Sequence, residues 1–93
     1  MAITRINEFH AATGKSQALY EFLISLKDYI ANSKGCISCE VLRQDDQDDI
    51  FIVIEKWQSQ EDHQLSLAHY PKENMSGSMA LIGVPPTGNF YHE

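Results

Sequence analysis

Eight consecutive residues, Ile50-Phe51-Ile52-Val53-Ile54-Glu55-Lys56-Trp57, are apolar on both alternating rows of a β-strand. Successive side chains of a strand point to opposite faces. Ile50, Ile52 and Ile54 therefore form one row, and Phe51, Val53 and Trp57 form the other, interrupted only by Glu55. An antiparallel sheet with helices on one side needs a single apolar face. The first strand has the same mixed character, with Ile6 on one row and Ile3, Asn7 and Phe9 on the other. Leaving one such face in water would expose a patch on the order of several hundred Å², which monomers seldom do. The pattern predicts two kinds of cover, helices of the same chain on one face and the sheet of a second copy on the other, related by a two-fold axis. The row holding Asn7, Phe51 and Val53 is the one expected at that interface. The alternative is that residues 75–82 fold over the second face alone.

The remaining elements follow from local signals. Residues 3–10 are rich in Ile, Thr and Phe and read as a strand that ends at Ala11-Ala12-Thr13-Gly14. Leu19, Phe22, Leu23, Leu26 and Ile30 then recur at helical spacing, which predicts a helix over 15–33, with Thr13 or Ser16 as its cap and Gly35 after its last turn. A second strand over 36–44 is joined to 50–57 by the polar turn 45–49, which makes an antiparallel hairpin. Ser59 with Asp62 three residues on is a capping box, and it opens a helix that must stop before Pro71. Residues 72–82 read as a further helical stretch, 84–88 as a loop and 89–92 as a short last strand. The order is β-α-β-β-α-β, the ferredoxin-like α+β arrangement with helices on one face of an antiparallel sheet.

At 93 residues the chain has room for one domain, residues 1–93. A chain this short buries about 60–65% of its unfolded surface, so a partner copy would add to a thin core. Apolar residues are 43% of the composition, enough for that core. The formal net charge of -6 with no basic stripe argues against a nucleic-acid partner. No apolar run approaches the ~20 residues of a membrane span, and the first residues lack the blocks of a signal peptide. A cytoplasmic location is the expectation.

Two cysteines, Cys36 and Cys39, form a C-x-x-C. A redox pair or half a zinc site needs both thiols on one side, whereas strand residues three apart point to opposite faces. Core packing is the expected role, and no metal site is expected. Thr13-Gly14-Lys15-Ser16 imitates the end of a phosphate-binding loop, but Phe9 stands where its first glycine is needed. Of the four histidines, His10 and His92 fall at strand ends, and His63 and His69 fall on one helix without the i, i+4 spacing of a metal pair.

Asn7-Glu8-Phe9-His10 before Gly14-Lys15, then Gly35-Cys36-Ile37-Ser38-Cys39-Glu40, resembles the antibiotic biosynthesis monooxygenase (ABM) family. So does Ile54-Glu55-Lys56-Trp57 followed by residues 59–63, and the resemblance runs from about Ile6 to the end of the chain. It implies a homodimeric α+β barrel of ferredoxin-like protomers. It also implies an oxygenase that uses no metal, flavin or other cofactor and oxidises a small aromatic phenol or quinol with O₂. Related members degrade haem, act as isomerases, or have no known reaction, so a dimeric small-ligand-binding or isomerase-type protein is the alternative. The spacing from Trp57 to either histidine departs from that of the haem-degrading members. By the same resemblance Asn7, Trp57 and His63 are the expected catalytic residues, with His69 as second choice for the histidine. Phe9, Phe51, Val53 and His69 are the expected substrate-binding residues.

Overall fold

A computed structural model describes residues 2–93. The elements run β1 (Ile3–Ala11), α1 (Ser16–Ala31), β2 (Cys36–Arg43), β3 (Ile50–Trp57), α2 (Gln60–His69), α3 (Lys72–Ser78), a 3₁₀ turn (Met79–Leu81) and β4 (Ile82–Tyr91). The strands make one antiparallel sheet in the order β2-β3-β1-β4. This is the ferredoxin-like α+β fold that the pattern of elements predicts.

Helix α1 lays Leu19, Leu23 and Ile30 into the core, with Phe22 and Leu26 packed beside them. Its N-cap is Lys15, without a side-chain capping bond, so neither Thr13 nor Ser16 caps it. Helix α2 begins as the capping box requires, the Ser59 hydroxyl accepting the Asp62 N–H at 3.1 Å. Gly35, at φ +84°, sits in the passage from α1 to β2, and a Cβ there would collide with the Asp62 carboxyl. Its carbonyl accepts the Gln58 N–H at 2.7 Å. A left-handed glycine thus lets the start of α2 settle against the start of β2.

The register of β1 on β3 pairs Ile3 with Trp57, Arg5 with Glu55, Asn7 with Val53 and Phe9 with Phe51. Phe51, Val53 and Trp57 are 0%, 1% and 0% exposed and pack with Leu19 and Leu23 of α1. The row expected at the interface between copies is therefore the row under the helices. The open face carries Ile50, Ile52 and Ile54, flanked by Ile6 on β1 and Leu42 on β2. Since both rows of β3 are apolar, strand parity defines two faces without saying which one the helices take. Residues of α3 and the 3₁₀ turn line a cavity on the helix side, so they leave the open row uncovered.

Strand β4 is longer than expected. It covers 84–88 as well and pairs Ile82 with Ala11, Val84 with His10, Thr87 with Glu8 and Gly88 with Asn7. Pro85 and Pro86 fall where the register shifts between Glu8 and His10. Proline has no N–H for a ladder, and it is tolerated here because β4 is an edge strand.

A further register shift lies between Cys36 and Ser38 of β2, where Cys36 pairs with Trp57 and Cys39 with Glu55. Trp57 and Glu55 share the inward row, so the bulge turns both thiols to the same face, contrary to the parity expectation. Both are free thiols, and no group of three or more His, Cys, Asp or Glu residues converges on a metal-sized site among the described residues. Burial, reinforced by the nearby Glu55 carboxylate, pushes the Cys39 thiol up to about 12 and raises Cys36 in the same direction. Against an ordinary thiol at 9.0, Cys39 holds on the order of 10³-fold less reactive thiolate near neutral pH. Iodoacetamide at pH 8 should therefore leave Cys39 unlabelled in the native protein, as read by mass spectrometry, and label it once the chain is unfolded. Native labelling at the rate of a free thiol would contradict this.

Candidate functional site

Between the inward face of the sheet and the helices lies a cavity of about 590 Å³. Its walls are largely apolar, with Phe9 of β1, Phe22 and Leu26 of α1, and Met75 and Met79 from the segment before β4. On the sheet side four polar side chains meet: Arg5 and Asn7 from β1, Glu55 from β3 and His63 from α2. The cross-strand pairing of Arg5 with Glu55 and of Asn7 with Val53 brings the first three together.

These groups form a hydrogen-bonded chain. Arg5 Nε donates to Asn7 Oδ1 at 3.0 Å, and Asn7 Nδ2 donates to Glu55 Oε2 at 2.7 Å. Trp57 Nε1 donates to the other carboxylate oxygen, Oε1, at 2.9 Å. Position 88, opposite Asn7 on β4, is glycine, and a Cβ there would press into the Asn7 amide oxygen and the Arg5 guanidinium. Arg5 also lays its guanidinium over the Phe90 ring, 4.7 Å from the centroid.

His63 stands edge-on to Trp57 and to Phe90, with centroid separations of 5.6 Å and 5.1 Å. Its Nε2 is 3.9 Å from Glu55 Oε1, and its Nδ1 is buried with no hydrogen-bond partner. Burial lowers the imidazole's pKa, with the Arg5 charge acting the same way. Burial also raises the Glu55 pKa, against the opposing effects of the Trp57 hydrogen bond, the Arg5 charge and the Asn7 hydrogen bond. Both shifts favour the uncharged forms, and 3.9 Å is too long for a hydrogen bond, so the two groups are neighbours rather than an ion pair. Helix α2 is held in place by α1. Tyr29 Oη donates to the Ser66 carbonyl at 2.8 Å, and the hydroxyls of Ser33 and Ser66 lie 2.8 Å apart.

Of the residues singled out from sequence, Asn7, Trp57, His63 and Phe9 line this cavity. Phe51 and Val53 do not, being sealed in the core behind it, Phe51 against Tyr20 with ring centroids 6.0 Å apart. His69 lies at the far end of α2 and faces a separate surface depression with Asp28 and Asp62. Arg5, Glu55 and Gly88 were not anticipated. Glu55 left a trace in the sequence as the one charge on an otherwise apolar inward row, where a buried carboxylate must find donors.

A ferredoxin-like sheet with a partly buried Asn-Glu-Trp-His cluster under its helices defines a small α+β protein with one polar site in a largely apolar cavity. The antibiotic biosynthesis monooxygenase family model matches residues 2–70, and the chain belongs to that family. Among solved structures it is similar to PA3566 from Pseudomonas aeruginosa, at 20% identity and a TM-score of 0.89 over 99% of this chain and 93% of that one. It is also similar to SnoaB, a cofactor-independent oxygenase from Streptomyces nogalater, at 17% identity and a TM-score of 0.87 over 99% and 92%. A conserved protein from Methanosarcina mazei matches at 18% identity and a TM-score of 0.89 over 100% and 93%. At these identities the likeness is one of fold. No curated protein matches the chain in sequence.

Proposed function

We propose that this chain is a monooxygenase that oxidises a small phenol or quinol with O₂, without a metal or flavin, as a homodimer joined through its open sheet face. The observation that carries the reading is the chain of donors Arg5, Asn7 and Trp57 around one buried carboxyl in a largely apolar cavity of about 590 Å³. A volume of that size suits one small aromatic molecule. Once deprotonated, an electron-rich phenol can itself pass an electron to O₂. The protein then has to remove a proton, hold the oxyanion and exclude water.

In this reading Asn7, Trp57 and His63 are the catalytic residues and Phe9 is part of the substrate wall. Asn7 spends one N–H on Glu55 and keeps the second for a substrate oxygen. Trp57 fixes the carboxyl and closes the base of the cavity. His63, held uncharged by burial, bounds the polar end. Family membership supports the oxygenase class, and the name of SnoaB as a cofactor-independent oxygenase supports the lack of a cofactor. The dimer is supported by the row Ile50, Ile52, Ile54 and Leu42, which the helices leave open.

Oxygen uptake tests the reading. Purified protein, stripped of metal with a chelator, should consume O₂ with at least one member of a panel of quinols and naphthols. Each O₂ consumed should place one oxygen atom in the product and release the other as water, so that a naphthol gives its quinone and a quinol its hydroxyquinone. Saturable binding of panel members with no uptake would favour a ligand-binding protein instead.

A further inference from the structure

The oxygenase reading requires a proton acceptor, and the obvious candidate, His63, is poorly placed for it. Nδ1 is buried and unpartnered, which leaves Nε2, and Nε2 faces Glu55 Oε1 at 3.9 Å. Its ring is held edge-on between Trp57 and Phe90. Glu55 is the opposite case. Its carboxyl lines the cavity, and both of its oxygens are fixed by N–H groups, from Asn7 and from Trp57. Its side chain is 6% exposed, so water competes little for it.

Arg5 supplies the complementary feature. It lines the same cavity, yet among the described residues it makes no salt bridge. It commits Nε to Asn7 and one face to Phe90, and the missing Cβ of Gly88, opposite Asn7, makes room for its guanidinium against β4. A guanidinium with N–H groups to spare, beside a carboxyl in an apolar cavity, suits a ligand that gives up a proton and keeps a negative oxygen.

We propose that Glu55 is the catalytic proton acceptor of this site and that Arg5 receives the oxyanion, so that the substrate class is a neutral molecule with an acidic phenolic or enolic O–H. This rests on the oxygenase reading for its place in a reaction, though not for the proton transfer itself. In the step, the substrate O–H bond breaks heterolytically and the proton forms an O–H bond on a Glu55 carboxylate oxygen. The electron pair stays on the substrate oxygen. The negative charge moves from Glu55 to the substrate, toward Arg5, and nothing is oxidised.

Burial, which raises the Glu55 pKa above 4.5, strengthens it as a base while the Asn7 and Trp57 donors keep the ionised form accessible. The groups that face it are Arg5 from β1, the thiols of Cys36 and Cys39 from β2, and His63 from α2. The two thiols, with pKa values raised, stay neutral through the range of interest. Only Arg5, fixed in charge, and His63 bear on its titration there.

The test uses 4-nitrophenol, whose phenol and phenolate forms absorb at different wavelengths. Bound to the native protein below its solution pKa, it should be ionised, and infrared difference spectra should show a new carboxylic acid band on binding. Glu55→Gln should lower the bound phenolate fraction at least tenfold, and a larger loss in His63→Asn than in Glu55→Gln would overturn the assignment. Arg5→Met should weaken binding of the ionised form. The infrared band on the native protein reads the proton's destination even if Glu55→Gln does not fold. An unchanged phenolate fraction in Glu55→Gln, or ionisation in the native protein without that band, would overturn the assignment, as would failure of the native protein to ionise the probe. The two readings separate cleanly. Glu55-dependent ionisation without O₂ uptake from any quinol sinks the oxygenase and keeps the proton acceptor, and uptake with Glu55-independent ionisation does the reverse.

Discussion

Val53→Lys should abolish the folded protein, and Ile52→Lys should leave it folded but monomeric. The two positions are adjacent on β3 and differ only in which face they serve. Val53 is 1% exposed beneath α1. An unpaired lysine there costs about 3–5 kcal/mol, a large share of the ~5–15 kcal/mol that holds a domain together, and a chain of this size sits low in that range. Ile52 lies on the open row, opposite Leu42 and Glu8. A charge there meets water in the free chain and meets an apolar surface only if two sheets pack together. Circular dichroism should show melting lost for the first variant and nearly unchanged for the second. Sedimentation should give twice the chain mass of 10.5 kDa for the parent and once that mass for Ile52→Lys. A dimeric Ile52→Lys protein would move the interface elsewhere.

Asn7→Ala should cut turnover of a quinol about 10²-fold or more while the chain stays folded, the scale of losing one preorganised donor to a developing oxyanion. The substitution removes the donor to Glu55 Oε2 and the acceptor for Arg5 Nε in one change. It therefore loosens both charged groups of the site. Pre-steady-state mixing should show the loss in the chemical step, with quinol affinity changed much less. A variant that loses affinity alone and keeps its rate would reduce Asn7 to a binding contact.

Much of this was readable from the chain. The hairpin of β2 and β3, the long amphipathic α1 and the Ser59–Asp62 box announce themselves through contacts within a few residues. So does the stop before Pro71. What escaped depends on partners distant in sequence. Pro85 and Pro86 look like a loop until β4 is known to be an edge, where missing N–H groups are tolerated. The bulge at Cys36 has no local signal, so parity counting put the two cysteines on opposite faces. The inward side of β3 escapes parity counting because each of its rows carries three apolar residues and either could take the helices. For the site, Asn7, Trp57 and His63 were found through family resemblance, whereas Arg5 and Glu55 become partners only through a register between strands fifty residues apart. Glu55 was passed over as an interruption in a hydrophobic row, although it is the residue around which the polar cluster is built.

The prolines of β4 have a consequence for how copies of this chain can meet. A bare strand edge is a template on which another chain can add its own strand, the route into open-ended fibres. Two adjacent residues without N–H groups interrupt that template in the middle of β4, beside the irregular stretch of its pairing with β1. Lateral growth along this edge is blocked by chemistry that leaves the broad apolar face untouched. If two copies pair through the open face as proposed, this edge steers the chain toward an association that closes on itself, and away from one that propagates.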